Sequence, residues 1–219
     1  MRVRAAIAVV AGCLAIPVAA LADEWPSAAV TEVFSQSREW FVRVVPGASV
    51  GDAVGFGGAP KGRFARAEWY RRDRDRSYRL LQETTLANPV APVKFLVTDR
   101  GYLVTLDNWH NMGYGRAVVS YGPNGRRVAA YELKDLFSPQ EIDEFRTSVS
   151  SIWWRTENVY VNSDQRSVYV PMNGEGEAFI YEPETGRWQY CNHTGQQYRC
   201  RSTNENRAWG PFREPRGPG

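Results

Sequence analysis

Apolar residues along this chain fall in short bursts. WFVRVV (40–45), FARAEWY (64–70), YRLLQ (78–82), VKFLV (93–97), YLVTL (102–106), RAVVSY (116–121) and VAAYEL (128–133) open the series. NVYV (158–161), SVYV (167–170), AFIY (178–181) and RWQY (187–190) continue it, with Gly, Pro, Asn and Asp between the bursts. Runs of this length, rich in β-branched and aromatic residues and bounded by turn formers, predict strands and an all-β domain. One helix interrupts them. Ser138 is placed to cap, Pro139 fits the first helical position, and Glu141 completes a capping box. Ile142 and Phe145 then give the segment one apolar side to about Arg146, as an inserted plug or edge cover requires.

The bursts repeat as groups. Tyr121-Gly122-Pro123-Asn124-Gly125-Arg126 and Tyr181-Glu182-Pro183-Glu184-Thr185-Gly186-Arg187 share one turn chemistry, Tyr-x-Pro followed by Gly-Arg. Proline presets an early turn position and glycine accepts the positive φ that closes it. Arg71-Arg72-Asp73-Arg74-Asp75-Arg76-Ser77 takes the same place between EWY and YRLL with charged residues instead. Upstream of each hairpin lies a polar turn leading into a strand: Ser37-Arg38-Glu39-Trp40, Thr98-Asp99-Arg100-Gly101-Tyr102 and Ser163-Asp164-Gln165-Arg166-Ser167. These copies stand about 60 to 65 residues apart.

The unit resembles a blade of the β-propellers, which are built from four-stranded sheets. Three units are fewer than the four a closed propeller needs, and residues 23–34 are too few to supply another. The expectation is therefore an open or partial arc of propeller-like blades, or a two-sheet β-sandwich. The chain as a whole also resembles a family of secreted bacterial proteins to which no activity attaches.

The ends set compartment and limits. MRVRAAIAVVAGCLAIPVAALA (1–22) reads as a basic n-region, an apolar stretch and an Ala20-Leu21-Ala22 cleavage signal. Cleavage after Ala22 delivers a secreted or periplasmic protein. A competing reading takes Val10-Ala11-Gly12-Cys13 as a lipobox with Cys13 lipidated; the apolar run continues past Cys13, which favours simple secretion. No later segment is long and apolar enough to span a bilayer. Residues 23–202 then form one β-repeat domain, and the polar, Pro/Gly-rich tail 203–219 is expected to be disordered. Within that tail, Trp209 and Phe212 leave room for a docking motif.

Charge and cysteine narrow the function classes. Losing Arg2 and Arg4 with the leader leaves 25 basic and 24 acidic residues, a net charge of +1. That balance argues against a nucleic-acid or anionic-membrane binder. Cys191 and Cys200 read as a disulfide in an oxidising compartment, contributing about 2.5–3 kcal/mol on the chain-entropy model. One His and two Cys do not fill a structural zinc site, and no motif calls for a cofactor.

Candidate chemistry concentrates in DNWHNMGYG (107–115). Asp107 and His110 at i and i+3 are within reach across a turn, the minimum for acid–base work, yet no nucleophile pairs with them in sequence. The competing reading makes Asp107-Asn108 a turn cap, with Trp109 packing and the glycines permitting the bend. Tyr114 in the same loop, and Trp153 and Trp154 beside a later connection, supply aromatic faces suited to stacking on sugars or peptides. Val118-Val119-Ser120-Tyr121-Gly122 lacks the first glycine of a nucleophile elbow and sits in a hairpin. Gly55–Arg63 lacks the Gly-Lys-Ser/Thr order of a phosphate loop and reads as a long connection. The Arg63–Arg79 run reads as an ion-paired, solvated hairpin, and His193 as a solvated residue in the disulfide loop. Three function classes remain. A non-catalytic protein binding a macromolecule or cell-envelope component through loops 107–115 and 153–156 leads; a hydrolase using Asp107 and His110 and a carbohydrate binder using loop tryptophans follow.

Overall fold

The computed structural model describes residues 25–172, 176–194 and 197–202. The leader 1–22, the Cys13 alternative and the tail 203–219 lie outside these residues, as do the surroundings of the His193 side chain. Three antiparallel meanders follow one another along the chain. The first is β1 (Thr31–Phe34), β2 (Trp40–Val45), β3 (Arg66–Arg72) and β4 (Tyr78–Thr85). The second is β5 (Pro92–Val97), β6 (Leu103–Asn108), β7 (Val118–Tyr121) and β8 (Arg127–Tyr131). An insertion then carries α1 (Pro139–Glu144) and a two-stranded ribbon, β9 (Arg146–Thr147) with β10 (Ile152–Trp153). The third meander is β11 (Tyr160–Val161), β12 (Val168–Pro171), β13 (Glu177–Glu182), β14 (Arg187–Thr194) and β15 (Gln197–Ser202). The architecture is all-β, with propeller-like blades.

The sequence repeat maps onto equivalent strands. Each first-to-second-strand turn closes in the same way: Ser35, Thr98 and Asn162 donate their backbone N–H to Trp40, Tyr102 and Ser167. The residue that bends each of these turns is left-handed, Arg38 at φ 59°, Gly101 at φ 80° and Gln165 at φ 56°. Outer hairpins agree as well, with Arg76, Gly125 and Gly186 all at positive φ. A bulge recurs just before the first two outer hairpins, between Trp69 and Tyr70 and between Ser120 and Tyr121. Four elements escaped the pattern: β1, β9, β10 and β15. β1 is only four residues, two polar followed by two apolar, and pairing with β2 rather than its own sequence makes it a strand.

Apolar side chains form two cores, one for each blade-to-blade interface. Val42, Val44 and Trp69 pack against Phe95, Leu103, Val119 and Tyr121 between the first and second blades. Val104, Leu106 and Val118 pack against Val168, Val170, Phe179 and Tyr181 between the second and third. Phe137 and Leu136 from the insertion extend the second core, with Ile142 of α1 and its C-cap Phe145 packed on it, so the inserted helix is a cover. Its Ser138–Glu141 capping box forms as the sequence predicts.

At the end where the first two strands of each blade turn, the three blades meet. Ser37 N donates to Asp99 Oδ1 at 2.7 Å, Asp99 N donates to Gln165 Oε1 at 3.2 Å, and Gln165 Nε2 donates to Gln36 Oε1. This cycle links each blade to the other two, while the apolar packing joins only consecutive blades. The result is an arc tied at one end. Its leading face, on the first blade, is finished by Phe34, Phe41, Tyr70 and Tyr78 packed on one another. Ion pairs of Arg43 with Glu32 and of Arg66 with Glu68 border that cluster. Cys191 and Cys200 lie directly opposite on β14 and β15 and are bonded. Among the described residues no helix is long and apolar enough to cross a membrane.

Candidate functional site at the loop end

Opposite the tied turns, the long connections converge: 46–65 in the first blade, 109–117 in the second, and the insertion 132–159. They are joined by specific hydrogen bonds. Asn111 donates to Val54 O at 3.0 Å and accepts from Val54 N at 2.8 Å, imitating a strand partner. Ile152 N donates to Met112 O at 2.8 Å. The glycine-rich connection is thereby held down by the loop that follows β6.

Asp107 is the centre of this end. It has no exposed surface and a left-handed backbone, φ 58°. Oδ1 accepts from Gly113 N at 2.9 Å and from Trp154 Nε1 at 2.8 Å; Oδ2 accepts from Arg155 Nε at 2.8 Å. Arg155 is itself 3% exposed, so this is a fully buried ion pair. Burial pushes the Asp107 carboxyl up, against the pull of Arg155 and of the two neutral donors. Both carboxylate oxygens are engaged, and His110 is not among their partners.

His110 lies elsewhere. Its backbone is also left-handed, φ 70°, and its ring is partly exposed on the loop surface. There it packs with Phe56 at 5.0 Å and Trp25 at 5.9 Å between ring centroids, and burial lowers its pKa. Trp25 meets Trp109 edge-on at 5.5 Å, and Trp109 Nε1 donates to Pro26 O at 2.9 Å. Trp25, Phe56, Trp109 and His110 are all partly exposed. Beside Trp109 a cleft of about 300 Å³ runs along β1 and β5, with Ala28, Ala29, Val44, Ala91 and Phe95 in its walls.

The aromatic residues singled out in the sequence therefore separate. Trp109 and His110 belong to the surface group. Tyr114 is half-buried against the second core, and its carbonyl accepts from Asn108 Nδ2 at 2.7 Å. Trp153 stays partly exposed on the ribbon, its ring under the Arg146 guanidinium at 5.0 Å. Trp154 corrects the expectation of a loop tryptophan offering a face: it has 0% exposure and is spent on the core and on Asp107. β10 ends at Trp153, and Trp154 turns inward directly after it, its backbone N–H donating to Ile152 O at 3.1 Å. Ser120, set aside as a nucleophile, accepts from Tyr181 Oη at 2.6 Å inside the blade interface.

Three residues of this end were not picked out from sequence. Arg155 gave no signal, because a buried arginine is recognised only by its carboxylate. Phe56 was hidden in a glycine-rich stretch. Trp25 lies in the stretch 23–34, to which the sequence pattern assigns no element, although a tryptophan directly after Asp23-Glu24 is a clue that the segment packs. Among the described residues no group of three or more His, Cys, Asp or Glu is placed to hold a metal ion.

Neither a protein-family model nor a curated protein matches the sequence. Among solved structures, the chain is similar to the periplasmic gluconolactonase of Pseudomonas aeruginosa, at 14% identity and a TM-score of 0.39. The match covers 82% of this chain and 58% of that one, so the chain spans under two thirds of that protein's length.

Proposed function

We propose that this is an exported, non-catalytic β-repeat protein that binds a macromolecular component of the cell envelope at its loop end. The observation carrying the reading is the division of labour there. Asp107 is buried and saturated by three donors, whereas Trp25, Phe56, Trp109 and His110 form a partly exposed aromatic group beside a cleft. Aromatic faces with one polar edge suit stacking and a single directional hydrogen bond, which is recognition chemistry. The bonded Cys191–Cys200 pair and the leader-like sequence support an oxidising compartment.

The experiment is a binding comparison on the mature protein. Purified cell-wall glycan and an array of envelope polymers are presented to the wild type and to Trp109→Ala. Retention by the wild type, weakened at least tenfold by the substitution with the unfolding midpoint unchanged, supports the reading. No retention of any polymer above a scrambled control sinks it. The hydrolase reading has its own arm: turnover in a hydrolase screen that disappears in a folded His110→Ala protein would replace binding with catalysis.

A further inference from the structure

The segment that enters the aromatic group from the N-terminal side is attached unusually. Residues 25–30 belong to no strand, and β1 begins only at Thr31. Side chains tie this segment to the loop end: the indole N–H of Trp109 donates to Pro26 O, and the ring of Trp25 lies against Trp109 and His110. A proline backbone has a carbonyl to offer and no N–H, and its fixed φ lowers the entropy lost on docking. An aromatic groove with an indole donor is the chemistry by which proline-containing extended segments are read in many proteins.

We propose that Trp109, His110 and Phe56 form a site for an extended aromatic–proline polypeptide segment, and that Trp25-Pro26 fills it in cis. The ligand is then a segment of a partner protein that displaces the chain's own strap. This rests on the binding reading above and names its ligand class. The small residues that follow the proline, Ser27, Ala28 and Ala29, run on from Trp109 as one wall of the cleft whose other side includes Ala91 and Phe95. Because the strap is tethered next to its site, its effective concentration is of the order of millimolar, and a free peptide competes poorly until the strap is weakened.

The test uses the full mature chain and a labelled octapeptide of residues 23–30, Asp-Glu-Trp-Pro-Ser-Ala-Ala-Val. Fluorescence anisotropy is measured on the wild type, on Trp25→Ala/Pro26→Ala, and on that double variant carrying Trp109→Phe. The double variant is expected to bind at least tenfold tighter than the wild type. Trp109→Phe keeps a ring but loses the donor, so it should weaken binding about fivefold, the equivalent of one hydrogen bond of about 1 kcal/mol. A second peptide with its tryptophan and proline replaced by alanine should not bind. Unfolding midpoints within a few degrees of the wild type establish that the variants are folded. Equal weak binding to wild type and double variant, or indifference to Trp109→Phe, overturns the inference. If the peptide fails while envelope glycan is still retained through Trp109, the peptide inference falls and the binding reading stands; if both fail, both fall.

Discussion

The two ends of the blade arc solve the same problem by different means. At the tied end, three short turns of one design meet through Asp99, Gln165 and Gln36, each turn closed by its own local hydrogen bonds. At the loop end, one carboxylate holds together residues from β6, from the loop after it and from an insertion 47 and 48 residues away. The first arrangement is modular, so each turn keeps its shape whatever its neighbours do. The second is concentrated in Asp107, with a desolvated ion pair whose members are stable only together. On the binding reading proposed above, aromatic rings held in a fixed relation need a rigid support, and Asp107 braces the loop that carries Trp109 and His110 through its bond to Gly113 N.

Asp107→Asn should show the largest effect. The amide keeps an acceptor for Gly113 and Trp154 but leaves the Arg155 guanidinium buried without its counter-charge, a loss of about 3–5 kcal/mol. Urea unfolding of the mature protein measures it. A loss below about 1 kcal/mol would mean that the loop end is as modular as the other. Two glycines then sharpen the contrast. A Cβ at Gly113 would stand 2.8 Å from Ile152 O and Ile152 Cβ, and one at Gly101 would stand 2.9 Å from the Trp40 ring; both backbones are left-handed. Each change to alanine should cost about 2–3 kcal/mol from the conformation and the contact. Their coupling to Asp107→Asn should differ. Gly113 donates to Asp107 directly, so that pair should be non-additive, whereas Gly101 shares no partner with Asp107 and should add within about 0.5 kcal/mol.

What could be read from sequence follows the same division. The three-unit repeat, the hairpins and the capped helix are local events, set by Tyr-x-Pro-Gly turns, polar turns before strands and the Ser138–Glu141 box. The Asp107–Arg155 pair depends on where the insertion folds back, and nothing within a few residues of Arg155 records that. Asp107 and His110 are close enough in sequence to suggest a dyad, but the Asp107 carboxylate is taken by Gly113, Trp154 and Arg155 while the His110 ring packs with Phe56 and Trp25. Trp153 and Trp154 are alike in sequence and differ in place, because β10 ends at Trp153 and the chain turns Trp154 into the core beside Asp107. Trp109 and His110 were legible as surface aromatics; their partners Trp25 and Phe56 come from other parts of the chain.

The smallest effect tests whether the outer hairpins of the three blades are interchangeable. Arg76, Gly125 and Gly186 occupy the same position of the outer hairpin, and all three are left-handed. Arginine pays a steric penalty there that glycine does not, roughly 1–2 kcal/mol before the greater unfolded-chain freedom of glycine offsets part of it. Arg76 is exposed in a turn already closed by Arg76 N to Asp73 O and Asp73 N to Ser77 O, and neither bond uses its side chain. Arg76→Gly should therefore stabilise the protein by a few tenths to about 1 kcal/mol, read as a rise in the urea midpoint at constant m-value. A loss of stability would show that the charged side chain carries part of the first blade's outer turn, and that the blades share a backbone plan without sharing the chemistry that holds it.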